Sequence, residues 1–456
     1  MIKLFLKTLA YITFSLALLA CGSSKDKEEE STYSEAYLQF YNGSATSALT
    51  YLREVDGQAL GSAVYGDATS LLTVESGEMA LKFYRQDTDN KEILIEEMQS
   101  TLKKGEKSLM ILSGSGSAQN VAEHKFVREE LSAEFRLFSS SVIEGDSRYD
   151  LYLADEGDTF SEAHKLNTLA YQDFSEVNYW GATSADNFKL GSYVVYLTLP
   201  GQTEPVFQSA PIAFSFTTEY VLLLRATAGA NSGNIEVDVV ANSSTVTTYS
   251  DVNESAQYRI YNSLPSGASL HVTLDGSGNN SSTLDVAAKT LSDFTDMNFG
   301  NYRLSAELVS DASISFNNNF VTLNQGTSKA IILYQNANNE LKSLAFNEST
   351  LPQSFQFQVE VVNLLAEFSS LELYFVRAGE TLDNAKYVIS ALNFAKSKSI
   401  TLPDDTYEIL ALVTSNGTQL LLDRSEQVEF EQGKNHIISI EKDDTSVSGY
   451  KIRILN

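Results

Sequence analysis

The chain has 456 residues, with 59 Asp and Glu against 32 Lys and Arg, a formal charge of −27 and a pI of about 4.5. That balance excludes a nucleic-acid partner, which needs clustered basic side chains, and a hydrophobic share of 43% excludes global disorder. One cysteine excludes an intrachain disulfide, and four histidines leave little for a transition-metal site.

The first twenty residues read as a targeting segment. Lys3 and Lys7 precede a mostly apolar stretch too short to span a bilayer and of the right length for a signal peptide. It ends in Leu18-Leu-Ala20-Cys21, which resembles the bacterial lipobox. Cleavage after Ala20 and acylation (palmitate) of Cys21, the only thiol, would anchor the mature chain without spanning the membrane. Gly22, in place of a retention aspartate, directs the expectation to the outer membrane. Losing Lys3 and Lys7 takes the charge to −29, so lipid rather than charge must hold the protein to an anionic surface. Residues 21–36, with Glu28, Glu29 and Glu30 in a block, read as an acidic tether.

Beyond the tether the chain repeats. Four runs alternate with the period of a half-buried strand: Tyr37-Leu-Gln-Phe-Tyr-Asn42, Glu134-Phe-Arg-Leu-Phe-Ser139, Gln257-Tyr-Arg-Ile-Tyr-Asn262 and Gln358-Val-Glu-Val-Val-Asn363. A small residue two before a large one then recurs as Gly77/Met79, Gly191/Tyr193, Gly300/Tyr302 and Asp405/Tyr407, the pattern of a turn closed by a tyrosine corner. Each unit ends in an apolar run without alternation, such as Leu109-Met-Ile-Leu112 and Tyr220-Val-Leu-Leu-Leu224, which suits a strand covered on both sides, followed by a hairpin partner. The repeat spacing of roughly 100 residues, with about seven strands, is that of a β-sandwich. The ~150 residues per domain that would give three domains therefore yields to four. The expected organisation is all-β: signal peptide 1–20, acylated tether 21–36, and four tandem immunoglobulin-like or transthyretin-like sandwiches at 37–130, 131–254, 255–352 and 353–456. One short helix is expected over 382–394, capped by Thr381.

The stretch Tyr261-Asn-Ser-Leu-Pro-Ser-Gly-Ala268 with the following strand, and the turn Leu402-Pro-Asp-Asp-Thr-Tyr407, resemble a bacterial family of secreted and lipid-anchored sandwiches, the domain of unknown function 4397. The resemblance covers residue 37 to the carboxyl terminus and implies no activity.

No serine-hydrolase elbow, zinc-protease helix or phosphate loop is present, and the histidines His124, His164, His271 and His436 fall at unlike places in the repeat, so no enzyme activity is expected. His271 reads as a satisfied surface or edge residue. No cofactor is expected, with calcium in an acidic loop as the minor alternative. The loops Asp155-Glu-Gly-Asp158 and Asp275-Gly-Ser-Gly-Asn-Asn280 gather oxygens without the EF-hand spacing that calcium uses. Tyr179 and Trp180, in an insertion of the second unit, are the candidate ligand-binding residues, since exposed aromatic rings stack on sugars. The expected role is a lipid-anchored, non-enzymatic structural, adhesion or binding module of the envelope, with an envelope protein or polysaccharide as partner. The alternative is a surface lipoprotein that captures polysaccharide or another substrate.

Overall fold

The computed structural model describes residues 34–181, 187–265, 267–278, 280–415 and 417–456. Ala20, Cys21 and nearly all of the tether lie outside the described residues. The first strand, Glu35–Asn42, takes in the last two residues read as tether.

The third unit shows the architecture most plainly. Its eight strands are Ala256–Asn262, Leu270–Asp275, Ser281–Val286, Thr295–Met297, Gly300–Leu308, Asp311–Leu323, Ser328–Gln335 and Leu341–Asn347. They form two sheets, ordered fourth-first-seventh-eighth and third-second-fifth-sixth. The first and seventh strands run parallel, and the other neighbours are antiparallel. The fourth unit repeats this order, the first keeps it with a divided fourth strand, and the second keeps it with divided fourth and sixth strands and an added ninth, Thr247–Ser250. Successive first and second strands therefore lie in different sheets. An immunoglobulin sandwich puts them in one sheet, so the transthyretin-like alternative is the one the fold takes. Between the sheets sit the alternating residues, in the third unit Tyr258, Ile260 and Ile331 against Leu270, Val272 and Leu304.

Leaving one sheet for the other exposes backbone that must find hydrogen bonds. In three units one asparagine supplies them. Asn262 Nδ2 donates to the carbonyls of Ala268 and Val286 at 2.8 and 2.9 Å, and its Oδ1 accepts from the Leu264 amide at 3.0 Å. Asn42 likewise joins Ala48, Ala63 and Ser44, and Asn363 joins Phe368, Leu392 and Leu365. All three are wholly buried. The second unit differs from the sequence reading. The amide after the asparagine bonds a seventh-strand carbonyl in each unit (Gly43 to Leu112, Ser263 to Leu333, Leu364 to Ile440), and in unit two the amide doing so is Val142, to Leu224. The equivalent residue is therefore Ser141, not Ser139. A slip of two keeps the same face inward, so alternation alone does not distinguish them.

The tyrosine corner is present in three units. Tyr193 donates to the Lys189 carbonyl and Tyr407 to that of Pro403, both at 2.8 Å, and Tyr302 donates to that of Asn298. Left-handed backbone is needed at Gly300, φ 153°, but not at Gly191 or Asp405, so the tyrosine rather than the small residue is the shared element. The helix expected over 382–394 is instead one 3-10 turn, Leu382–Asn384, capped by Thr381, followed by the strand Tyr387–Asn393. Ile389 and Leu392 both face the core although three apart, a helical spacing produced here by an irregular register around Ala391, whose φ is 51°.

The sandwiches are not strung out in a row. The outer face of the first-and-seventh-strand sheet of unit one, with Tyr41, Leu109, Ile111 and Phe126, packs on that of unit two, with Phe138, Val142, Val221 and Leu223. Units three and four repeat this, Tyr261, Ile332 and Tyr334 meeting Val362, Leu364 and Ile437. The pairs touch one another as well: the Ala230 amide bonds the Ser349 carbonyl at 2.9 Å, and the Arg85 guanidinium lies 3.5 Å from the centre of the Phe355 ring.

Replacing Asn262 by Ala strands two carbonyls and one amide in a dry site and should cost about 3 kcal/mol. Hydrogen–deuterium exchange of the segment around Leu264 should accelerate strongly, and Asn262→Ser, which imitates Ser141, should accelerate it less. Unchanged exchange in the alanine variant would contradict the role given to the amide.

Candidate functional site

Tyr179–Gly181 form a short turn in which Trp180 adopts φ 47°, ψ 32°, an unusual conformation for a bulky residue. The Trp180 ring stacks on His164 at 4.4 Å, lies 4.7 Å from Tyr179, and meets Phe188 and Tyr193 edge-on at 6.1 Å. Both Tyr179 and Trp180 are half-buried at the margin of the unit-two core. The structure sets the two rings side by side and lays His164 over part of the indole.

The acidic loops engage their own turns. The Asp158 amide bonds the Asp155 carbonyl, and the Gly276 amide bonds that of Asn280, whose side chain reaches the Tyr302 hydroxyl. Among the described residues no three His, Cys, Asp or Glu side chains gather as a metal would require. The histidines are dispersed: His124 stacks on Phe174 at 4.3 Å, exposed His271 pairs with Asp285 at 2.6 Å, and buried His436 bonds Asn456 and the Glu431 carbonyl.

The unusual electrostatics lie elsewhere, between paired units. Tyr41 Oη donates to Asp238 Oδ2 at 2.6 Å, and the same carboxylate takes Arg225 Nε at 2.7 Å and the Thr248 hydroxyl at 2.6 Å. Arg225 also pairs with Glu236 at 2.5 Å and lies over the Tyr65 ring. In the second pair Tyr261 Oη bonds Glu441 at 3.0 Å, and Glu441 is held further by Lys289 at 2.9 Å and Arg453 at 2.6 Å. Tyr41 and Tyr261 occupy the same place, immediately before Asn42 and Asn262, and each reaches an acid of the partner unit. Burial pushes both hydroxyls well above the ordinary tyrosine value, and Asp238 and Glu441 push in the same direction.

A second polar cluster joins units one and two. Lys107, wholly buried, donates from Nζ to Asn242 Oδ1 at 2.8 Å. Asn242 Nδ2 donates to Thr218 Oγ1 at 2.7 Å and to Glu219 Oε2 at 3.1 Å, and Arg128 Nε reaches Glu219 Oε1 at 3.1 Å. Burial pulls the Lys107 amine down to about 8, with Glu219 opposing and Arg128 adding to the fall. Burial alone would raise Glu219, but Asn242, Arg128 and Lys107 together hold it below the usual carboxylate value. Lys107 and Glu219 take equivalent positions, opposite Tyr37 and Arg136, each five residues before Asn42 and Ser141. None of these interface groups was singled out from sequence, because their partners lie up to 197 residues away.

Two polar clefts open between the pairs. One, of 530 Å³, lies between units two and three beside Asp251, Glu254 and Asp296, and one of 390 Å³ lies between units one and four beside Arg85, Asp87 and Asp404. No helix among the described residues is long and apolar enough to cross a membrane.

No family model and no curated protein matches the chain. Among solved structures, the Bacillus anthracis TIE protein aligns over 89% of this chain and 67% of its own, at 9% identity and a TM-score of 0.16. BcpA, the major pilin subunit of Bacillus cereus, aligns over 89% of this chain and 99% of its own, at 11% identity and a TM-score of 0.13. Scores this low carry no argument, so the fold rests on the strand order itself.

The interface tyrosines predict a pH dependence. Their ionisation is harder folded than unfolded, so their contribution is complete below pH 10 and is lost as pH rises toward the folded values. The variant Tyr41→Phe/Tyr261→Phe should be less stable at pH 8, by about 1 kcal/mol per lost hydrogen bond. Its thermal midpoint should fall less steeply than that of the wild type above pH 10. Parallel curves would contradict the assignment.

Proposed function

We propose that the protein is a lipid-anchored, non-enzymatic structural or adhesion module of the cell envelope, held at the outer membrane through Cys21. The observation that carries this reading is where the perturbed ionisable groups sit. Strongly shifted groups often mark catalytic sites, but structural ion-pair networks shift them too. Here Tyr41 and Tyr261 bind acids of the neighbouring sandwich, in contacts that clamp one unit to another. A chain that commits its buried charge to fixing sandwiches against each other is suited to holding a surface in place. The acidic exterior keeps that surface away from anionic lipid, and the tether sets it off from the bilayer. In this reading Tyr179 and Trp180 are packing residues that close one end of unit two.

The anchor is tested by fractionation. Wild type should stay with membranes through high-salt washing and incorporate labelled palmitate, whereas Cys21→Ala should do neither. Retention of Cys21→Ala on washed membranes would overturn the lipid-anchor reading.

A further inference from the structure

We propose that Lys107 and Asn242 join in an intramolecular isopeptide bond that locks unit one covalently to unit two. The amine and the amide already touch, Nζ lying 2.8 Å from the oxygen of the carbonyl it would attack. Lys107 stands in one seventh strand, Glu106–Ser113, and Glu219, which accepts from Asn242 Nδ2, opens the other, Glu219–Ala226. The amine and the acid are shielded from water, with Lys107 wholly buried, Glu219 only 1% exposed and the Phe126 ring 5.7 Å from Nζ, while Asn242 is half-buried.

The chemistry balances without any external reagent. The lone pair of the neutral amine attacks Cγ of Asn242, forming the Nζ–Cγ bond. In the unreacted site Glu219 contacts Nδ2 but not Nζ. Once Nζ has closed on Cγ, Glu219 takes one amine proton and carries it to Nδ2, the Cγ–Nδ2 bond breaks, and ammonia leaves. Each group is suited to its step. With the amine drawn down to about 8, roughly one Lys107 in ten is neutral at pH 7, far more than for an exposed lysine. Arg128 helps keep Glu219 ionised and able to take a proton, and Glu219 Oε2 lies 3.1 Å from the nitrogen that departs. Holding the two reacting groups side by side supplies the effective concentration that an uncatalysed amide exchange lacks. The bond would close a loop between positions 135 residues apart and would make the apolar contact between the two units irreversible.

Intact-mass spectrometry of the denatured full chain, after the folded protein has stood at pH 8, tests this directly. The wild type should be lighter than its sequence by one ammonia, and proteolysis should release a branched peptide joining Lys107 to Asn242. Lys107→Arg and Asn242→Ala should keep their full sequence mass. Glu219→Gln, which leaves both reacting groups in place, should form the branched peptide roughly 100-fold more slowly. Folded wild-type protein at full mass, or an ammonia loss that maps to a succinimide with no branched peptide, would overturn the proposal.

Discussion

A strand that is apolar on both faces cannot be satisfied by one sandwich. The run Leu109-Met-Ile-Leu112 turns Met110 and Leu112 into its own core and leaves Leu109 and Ile111 to be covered from outside. Val221 and Leu223, Ala330 and Ile332, and Ile437 meet the same condition in the other units. At roughly 1.5–3 kcal/mol for each large apolar side chain removed from water, the outer faces supply a large driving force for pairing. Those faces centre on the first and seventh strands, which run parallel in each unit, so the transthyretin-like order and the pairing of units are linked.

Apolar faces alone do not fix one register. The buried acids Asp238 and Glu441 would be costly if left unpaired, and each completes its set of donors only when the two sheets meet in one alignment. Asp238 takes Tyr41 from the partner unit and Arg225 and Thr248 from its own, while Glu441 takes Tyr261 and Lys289 from across the interface and Arg453 from beside it. The asparagines at the sheet crossings act one level down, holding the first strand against the loop that leaves it. Lys107 is the outlying case, an amine buried against an amide rather than directly against a carboxylate.

Much of the fold was legible in sequence because its signals are local. Alternation located the first strands, the tyrosines two residues after Gly191, Gly300 and Asp405 located the corners, and unalternating runs located the doubly covered seventh strands. What sequence did not carry depends on distance or on irregular backbone. Ser141 and Ser139 share a face, so only the seventh-strand partner separates them. The bulge at Ala391 gives Ile389 and Leu392 a helix-like spacing inside a strand. The tandem order of the units along the chain says nothing about which outer faces meet. Tyr179 and Trp180 were nominated because they adjoin in an insertion of the second unit, whereas Tyr41 with Asp238, and Lys107 with Asn242, become neighbours only through the pairing of whole units.

The central claim is that the sandwiches pack face to face rather than trailing as separate modules. Small-angle X-ray scattering from the chain beginning at residue 34 tests it most directly. Face-to-face packing of two mutually touching pairs predicts a globular profile with a radius of gyration of about 22 Å. A rod-like profile, with a distance distribution extending over four sandwich lengths, would contradict it.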